Sequence, residues 1–367
     1  MPAPVRDIHV AVHPAARDIP QAVWAAWQRN ETQANIMLPH ALAAIQRELK
    51  GAPPTPGQFW LSLSSMHAAA DGTLAPVVEM VLSCTEWAMG TYPIFVFCNP
   101  AVLDALSAVA LNARLSMLVA ELHARVPVSR VYSVFAPTRV TKAFARLWIN
   151  MTGAQIEREP YYSAVFSFCT AQTITRRRQT LVADRIYTLR LAHEADIPAV
   201  ARLCKGFAST SDPFILSDEG ALKEASYLVR NGLVYLHEVE VGHVTQVASI
   251  VATTRQSENV SGITKVYTSP DVRKQGCAER LVRHVCQQCV LSQFPDVPGL
   301  ADPGCSLLLR ERKHAVVLYV AHNNPAAAKV YHRVGFQGLS PSADAPRPAG
   351  VEDWLELGFR DAALGHW

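Results

Sequence analysis

No stretch of this sequence approaches the ~20 apolar residues that a membrane span needs. The first twenty residues, MPAPVRDIHVAVHPAARDIP, hold no apolar run of secretory-signal length. One-sided charge is lacking too: 34 Lys and Arg stand against 31 Asp and Glu, for a formal net charge of +3. That balance is too small and too evenly spread for the basic face of a nucleic-acid binder. Low-complexity tracts are absent, and a composition of 50% hydrophobic and 18% charged residues suits a globular chain rather than a disordered one. These absences predict a cytoplasmic protein with neither membrane nor nucleic acid among its partners. At 367 residues the chain has room for two domains, each with its own core.

Eight cysteines are present: Cys84, Cys98, Cys169, Cys204, Cys277, Cys286, Cys289 and Cys305. Apolar runs such as FVFCNP and FSFCT suit buried thiols that behave as small hydrophobes. Cys286 and Cys289 form a C-x-x-C, yet no second pair stands at zinc-ribbon spacing and no strand immediately precedes them as in a redox motif. The expectation is structural thiols, no metal and a reducing compartment.

The two halves of the chain resemble each other. IHVAVHPAARDIPQAVWAAWQRNET, from Ile8, and IYTLRLAHEADIPAVARLCKGFAST, from Ile186, both run from a strand pattern through Asp-Ile-Pro into an amphipathic helix. Asp18 and Asp196 read as N-caps, with Pro in the first turn. RVYSVFAPTRVTKAFARLWINMTG (130–153) and AVVLYVAHNNPAAAKVYHRVGF (315–336) each read as strand, turn, helix and a glycine stop. The two Asp lie 178 residues apart, and Gly153 and Gly335 lie 182 apart, which points to a duplicated domain. The basic stretch near 169–191 marks the boundary, giving domains 1–175 and 185–367.

In the second half the patterns predict strands at 186–191, 233–240, 245–254, 262–267, 315–321 and 352–359, and helices at 196–208, 217–230, 276–293 and 325–334. ADPGC and SPSADAPRPAG read as loops. The fold class is α/β: a mixed, mostly antiparallel sheet flanked by helices, repeated in tandem.

One stretch carries chemistry. KVYTSPDVRKQGCAERLVRHV (265–285) passes from strand to helix through Arg273, Lys274, Gln275, Gly276, Cys277 and Ala278. A glycine with small neighbours at a helix start lets successive N–H groups converge on an anion. It is neither a Walker loop nor a dinucleotide fingerprint, because no Gly-Lys-Ser/Thr follows and there is one glycine. Alone it would also suit an ordinary solvated helix start. However, R-K-Q-G-C-A resembles the Arg/Gln-x-x-Gly-x-Gly/Ala signature of the GCN5-related N-acetyltransferases, placed after a strand and opening a long helix. Further on, LYVAHNNPAAAKVYHRVGF resembles that family's second signature, with Asn324 seven residues before Tyr331 and Gly335 four after it. The resemblance covers about residues 186 to 360 and suits the two-domain members.

The resemblance implies an acetyl-CoA site. The pyrophosphate would rest on the backbone amides of Arg273 to Ala278, with Arg273 and Lys274 at the rim. The pantetheine arm would follow the strand Val266, Tyr267, Thr268, in a slot opened where that strand splays from the one at 315–321. Asn324 and Ala327 would touch the arm, and the Thr268 N–H or its neighbour would hold the oxyanion. Tyr331 would protonate the departing thiolate, a task a phenol can perform; its alternative is core packing, like Trp148 in the first half. Many family members place a Glu on the central strand as general base. GITKVYT has no carboxylate, so Glu238, Glu240, His243 and His322 stand as candidates. His237 alternates away from Glu238. Cys277 has no evident His partner, which disfavours a covalent intermediate.

The first half has no matching turn and no Asn–Tyr pair at the family spacing, and reads as a degenerate copy. The implied activity is transfer of an acetyl group from acetyl-CoA to a primary amine of a small molecule, by a monomer or homodimer. A non-catalytic CoA-binding protein and a protein N-terminal or lysine acetyltransferase are the alternatives.

Overall fold

A computed structural model describes residues 6–68, 73–87, 89–176, 184–291, 312–340, 342 and 345–366. Cys305, the ADPGC loop, residues 177–183 and the end of the helix expected at 276–293 lie outside them. The chain divides into two compact units: Met1–Ser163 with Asp353–Trp367, and Ala164–Glu352. No helix among the described residues is long and apolar enough to cross a membrane.

The first half runs β1 (Arg6–His13), α1 (Gln21–Arg29), α2 (Glu31–Ala34), α3 (Leu38–Leu49), β2 (Phe59–Ala68) and β3 (Leu74–Cys84). A short ribbon, β4 (Glu86–Trp87) and β5 (Gly90–Thr91), precedes β6 (Ile94–Cys98), α4 (Pro100–Ala105), α5 (Ala108–His123), β7 (Ser133–Pro137), α6 (Thr138–Thr152) and β8 (Tyr162–Thr170). The second half runs β9 (Arg185–Leu191), α7 (Ile197–Ala208), α8 (Asp218–Arg230), β10 (Val234–Val241), β11 (Val244–Ala252) and β12 (Arg255–Gln256). Then come β13 (Val260–Ile263), β14 (Lys265–Thr268), α9 (Cys277–Val290), β15 (Ala315–Ala321), α10 (Pro325–Val334) and β16 (Glu352–Gly358).

Strand pairing makes the duplication explicit. In the first unit β1, β2, β3 and β6 pair antiparallel in turn, β7 joins β6 in parallel, and β16 closes antiparallel on β7. In the second unit β9, β10, β11 and β14 pair antiparallel, β13 and β15 pair in parallel, and β8 closes antiparallel on β15. Each parallel pair includes a short, fully buried run, IFVFC in β6 and VSGI in β13, as strands covered on both faces require. Both hairpins carry a bulge at the same register. It falls between Leu63 and Ser64 opposite β3, and between His237 and Glu238 opposite β11.

The closing strands correct the expected domain bounds. Asp353–Gly358 of the last strand belong to the first unit and Ala164–Thr170 to the second, so the unit boundaries fall at Ser163/Ala164 and Glu352/Asp353 rather than at 175–185. Each closing strand follows the last helix of its own half, and either fifth strand presents the same open edge. A local apolar pattern does not state which edge it takes, because pairing is a long-range choice.

The two Asp-Ile-Pro stretches also act differently from plain N-caps. Asp18 accepts from the Ala15 N–H at 3.2 Å and Asp196 from the His193 N–H at 2.8 Å. Each closes the 3-10 turn before the helix, not the helix itself. Gly335 is demanded by crowding as well as conformation. Its φ is +123°, and a Cβ there would stand 2.2 Å from the Thr173 carbonyl oxygen.

Candidate active site

The central strand of the second unit changes partners midway. Val260–Ile263 pair with β15, while Lys265–Thr268 pair with β11 at Ala252 to Ser249. Beyond Leu318, β15 continues through Tyr319 to Ala321 on β8 alone. The strands therefore splay, and β14 becomes the edge of a four-stranded sheet. An edge strand presents unpaired N–H and C=O groups to a ligand that can lie alongside it. Val266 packs against the cluster that holds Tyr331 and Val320. Tyr267 turns to the other face, where Gly206 makes room for it: a Cβ there would lie 2.6 Å from the tyrosine ring. Thr268 sits at the outer end, four residues past Thr264 and so ~13 Å from where the strands part. The Ser269 N–H donates to the Ala248 carbonyl at 2.9 Å, so by alternation along β14 it is Val266 and Thr268 that turn their N–H groups to the free edge.

After a 3-10 turn at Pro270–Val272, Lys274 (φ +62°) and Gly276 (φ +78°) both take the left-handed conformation, and α9 begins at Cys277. Such alternation gathers successive N–H groups into a concave anion seat. Among the described residues the N–H groups of Lys274, Gln275 and Gly276 meet no acceptor. A non-glycine residue at positive φ is uncommon, so the loop holds this shape against a local cost. Arg273 and Lys274 are exposed. The Arg273 Nε donates to the Thr268 carbonyl at 3.2 Å and its guanidinium lies 5.4 Å from the Tyr267 ring. Arg185 donates to the Gln275 side chain. Cys277 does not face the seat: its thiol is buried with Val239, Ala248 and Val272, and burial raises its pKa. Only its N–H, with that of Ala278, belongs to the helix start.

Tyr331 is buried on α10, with its ring 5.7 Å from Phe336. Burial, reinforced by the neighbouring Cys286, pushes its phenol well above its ordinary value. It therefore stays protonated. Asn324 has a structural task that the sequence reading did not assign. Its Oδ1 accepts from the Ala327 N–H at 3.0 Å and caps α10, which leaves only its amide N–H to face a ligand.

The structure does not bring the candidate carboxylates to the slot. Glu238 and Glu240 lie on β10, two strands in from β14, or ~10 Å. Glu238 is held by Arg190, Nε to Oε2 at 3.1 Å, and Arg190 also binds Asp196. His243 lies at the exposed hairpin tip, and His322 in the exposed turn after β15. On the α9 face lies a polar row that the sequence reading did not assemble, and of its members only Ser249 went unnamed. His237, Ser249 and Thr268 stand side by side across three strands, and their side-chain polar atoms are buried without a hydrogen-bond partner. Burial beside Arg280 lowers the His237 pKa to about 4. Also missed was a buried pair, Lys265 Nζ to Glu224 Oε1 at 2.6 Å. Alternation along β10 signalled the inward His237; nothing local signalled the pair.

No family model and no curated protein matches this sequence. Solved structures do. A Drosophila protein is 9% identical with a TM-score of 0.51, over 95% of this chain and 98% of that one. A GCN5-related N-acetyltransferase from Sphaerobacter thermophilus is 15% identical with a TM-score of 0.47, over 96% and 95%. A tandem GNAT protein from the clavulanic acid biosynthesis pathway is 12% identical with a TM-score of 0.40, over 97% and 100%. At such identities the likeness is one of fold. With its splayed central strands, its helix-opening turn and its repeated strand order, the chain has a mixed α/β fold built twice in tandem.

Proposed function

We propose that the second unit is an acetyl-CoA-dependent N-acetyltransferase that acts on a primary amine of a small molecule. The observation that carries this reading is the anion seat at Lys274–Gly276, placed at the outer end of a free strand edge that leads inward to Tyr331's cluster. The residues present fit acetyl-CoA. The outward N–H groups and the helix start suit a pyrophosphate, and the backbone of Val266 and Thr268 suits the amides of the pantetheine arm. Bound there, acetyl-CoA supplies an acyl group already activated as a thioester.

The chain's own groups then do the rest. β14 orients the acyl carbon for direct attack by the amine. The Val266 N–H, on the free edge, receives the developing oxyanion. Tyr331 donates its proton to the leaving sulfur. Glu238 and Glu240 stand too far back to take the amine's proton directly, so that proton leaves through water. Arg273 and Lys274 neutralise phosphate from the rim, and Asn324 and Ala327 set the start of α10 beside the arm. The first unit is read as a copy that does not bind acetyl-CoA.

The test is thiol release from acetyl-CoA by the whole chain against a panel of small amines, with calorimetry of acetyl-CoA binding alongside. Release with at least one amine supports the reading. Binding without release from any amine, peptide N-termini and lysine peptides included, would make the chain a CoA-binding protein instead.

A further inference from the structure

Both units bury an arginine in a helix between their fourth and fifth strands: Arg114 of α5 is 6% exposed and Arg280 of α9 is 7%. The two hold the same place. Each is followed directly by a buried leucine, Leu115 or Leu281, and five residues on by a buried valine, Val119 or Val285. Their partners differ. Arg114 binds both carboxylate oxygens of Glu79, with Nη2 to Oε1 at 3.2 Å and Nε on Oε2. Glu79 is the residue that the bulge extrudes from β3, between Val78 and Met80. At the matching bulge of β11 the extruded residue is Ala248. Arg280 turns to the anion seat instead. Its Nη1 donates to the Gln275 carbonyl at 2.7 Å, and its guanidinium lies 4.4 Å from the Tyr187 ring. It is also the nearest group to a Cβ built on Gly276, at 3.5 Å.

Peptide planarity gives that contact a consequence. The C=O and N–H of a trans peptide point to opposite sides. A Gln275 carbonyl held inward on Arg280 turns the Gly276 N–H outward, beside the other donors of the seat. A charge-assisted bond from a buried guanidinium holds this orientation more firmly than a neutral one. The same group sets a positive charge beneath the glycine, where little water screens it.

We propose that Arg280 is a positioning residue that makes this turn a pyrophosphate seat, by fixing the Gln275–Gly276 peptide with its N–H outward and by placing a buried cation beneath it. The proposal rests on the acetyl-CoA reading above. In the first unit Glu79 takes the equivalent guanidinium, and there no such turn follows the fourth strand.

The experiment compares Arg280→Met, Arg280→Lys and Ala248→Glu, the last copying Glu79 into the second unit. By calorimetry, Arg280→Met and Ala248→Glu should weaken acetyl-CoA about 10- to 100-fold, with Arg280→Lys between them and wild type. The deciding readout is kcat/KM for acetyl-CoA divided by kcat/KM for S-acetyl-pantetheine, which has no pyrophosphate. That ratio should fall by the same factor. A merely structural role would lower both substrates alike, and an unchanged ratio overturns the proposal. Should Ala248→Glu fail to fold by thermal melt, the two Arg280 variants decide alone. A wild type that binds no acetyl-CoA overturns the function itself. A wild type that binds, with variants that bind as tightly, overturns only the role of Arg280.

Discussion

Leu63, Met80 and Cys98 in the first unit hold the same cross-strand row as His237, Ser249 and Thr268 in the second, since both rows stand one step before the shared bulge. The first row is apolar and lies in the main core. The second is buried and polar, with no partners for its side chains. At the bulge itself the contrast reverses: Glu79 with Arg114 in one unit, Ala248 beside Val239, Val272 and Cys277 in the other. One backbone thus carries two distributions of buried polarity. The first unit pairs the buried Glu79 with Arg114 and follows its fourth strand with Asn99 and the short α4. The second leaves polar groups and outward N–H groups around the start of α9. Unsatisfied buried polarity costs stability, and the His237–Ser249–Thr268 row places some of it beside the turn that opens α9, at a position where the first unit is apolar.

The sharpest way to break this comparison is Gly276→Glu. It puts a side chain at φ +78° and a carboxylate within reach of Arg280, an approximation to the Glu79–Arg114 pairing. Acetyl-CoA affinity should fall more than ~100-fold by calorimetry, through strain, bulk and like charge; affinity at the wild-type level would mean the seat lies elsewhere. Next, Tyr331→Phe should lower kcat about 100-fold while KM for acetyl-CoA stays within a factor of two, the pattern of a lost proton donor. Trp148→Phe in the first unit should change the melt and not kcat.

Third, Glu79→Leu strands a buried Arg114 and should destabilise the protein by about 3–5 kcal/mol in denaturant unfolding. Glu79→Leu combined with Arg114→Leu should recover most of that, and acetyl-CoA affinity per folded molecule should not move in either. The smallest effect concerns His237. Its pKa, lowered to about 4 from the ordinary 6.5, means the unfolded chain binds the proton first as pH falls. Its contribution is complete above about pH 6.5 and declines toward pH 4, by up to about 3 kcal/mol. His237→Leu, which copies Leu63, should flatten that part of the stability–pH curve; two superimposable curves would show that His237 does not titrate as its burial requires.

Much of this was legible in the residues. The Val-, Ile- and Tyr-rich runs around 186, 234 and 315 and the helices opening at Ile197, Asp218, Cys277 and Pro325 follow from local periodicity and from turn residues. Arg273–Ala278 and Asn324–Tyr331 stood out through their resemblance to the two signatures of one family, where the turn alone would have suited an ordinary helix start. The paired Asp-Ile-Pro and strand–helix–Gly stretches announced the repeat. Glu238 misled because its sequence neighbourhood shows a strand carboxylate but not the Arg190 that holds it, 48 residues away. At Cys277, helix position N1 places the N–H at the turn while the side chain packs with Val239, Ala248 and Val272.

By itself, then, the sequence determined the element types, the tandem repeat, and the glycine-bearing turn between β14 and α9, because each is written in short-range pattern and in residues with restricted backbone choices. Only the tertiary structure decided that β8 closes the second unit and β16 the first, that the central strand parts from β15 after Ile263, and that Arg280 reaches Gln275 where Arg114 reaches Glu79. Those outcomes depend on which distant edge or charge a segment meets, and two segments of like pattern are locally equivalent until the chain has folded.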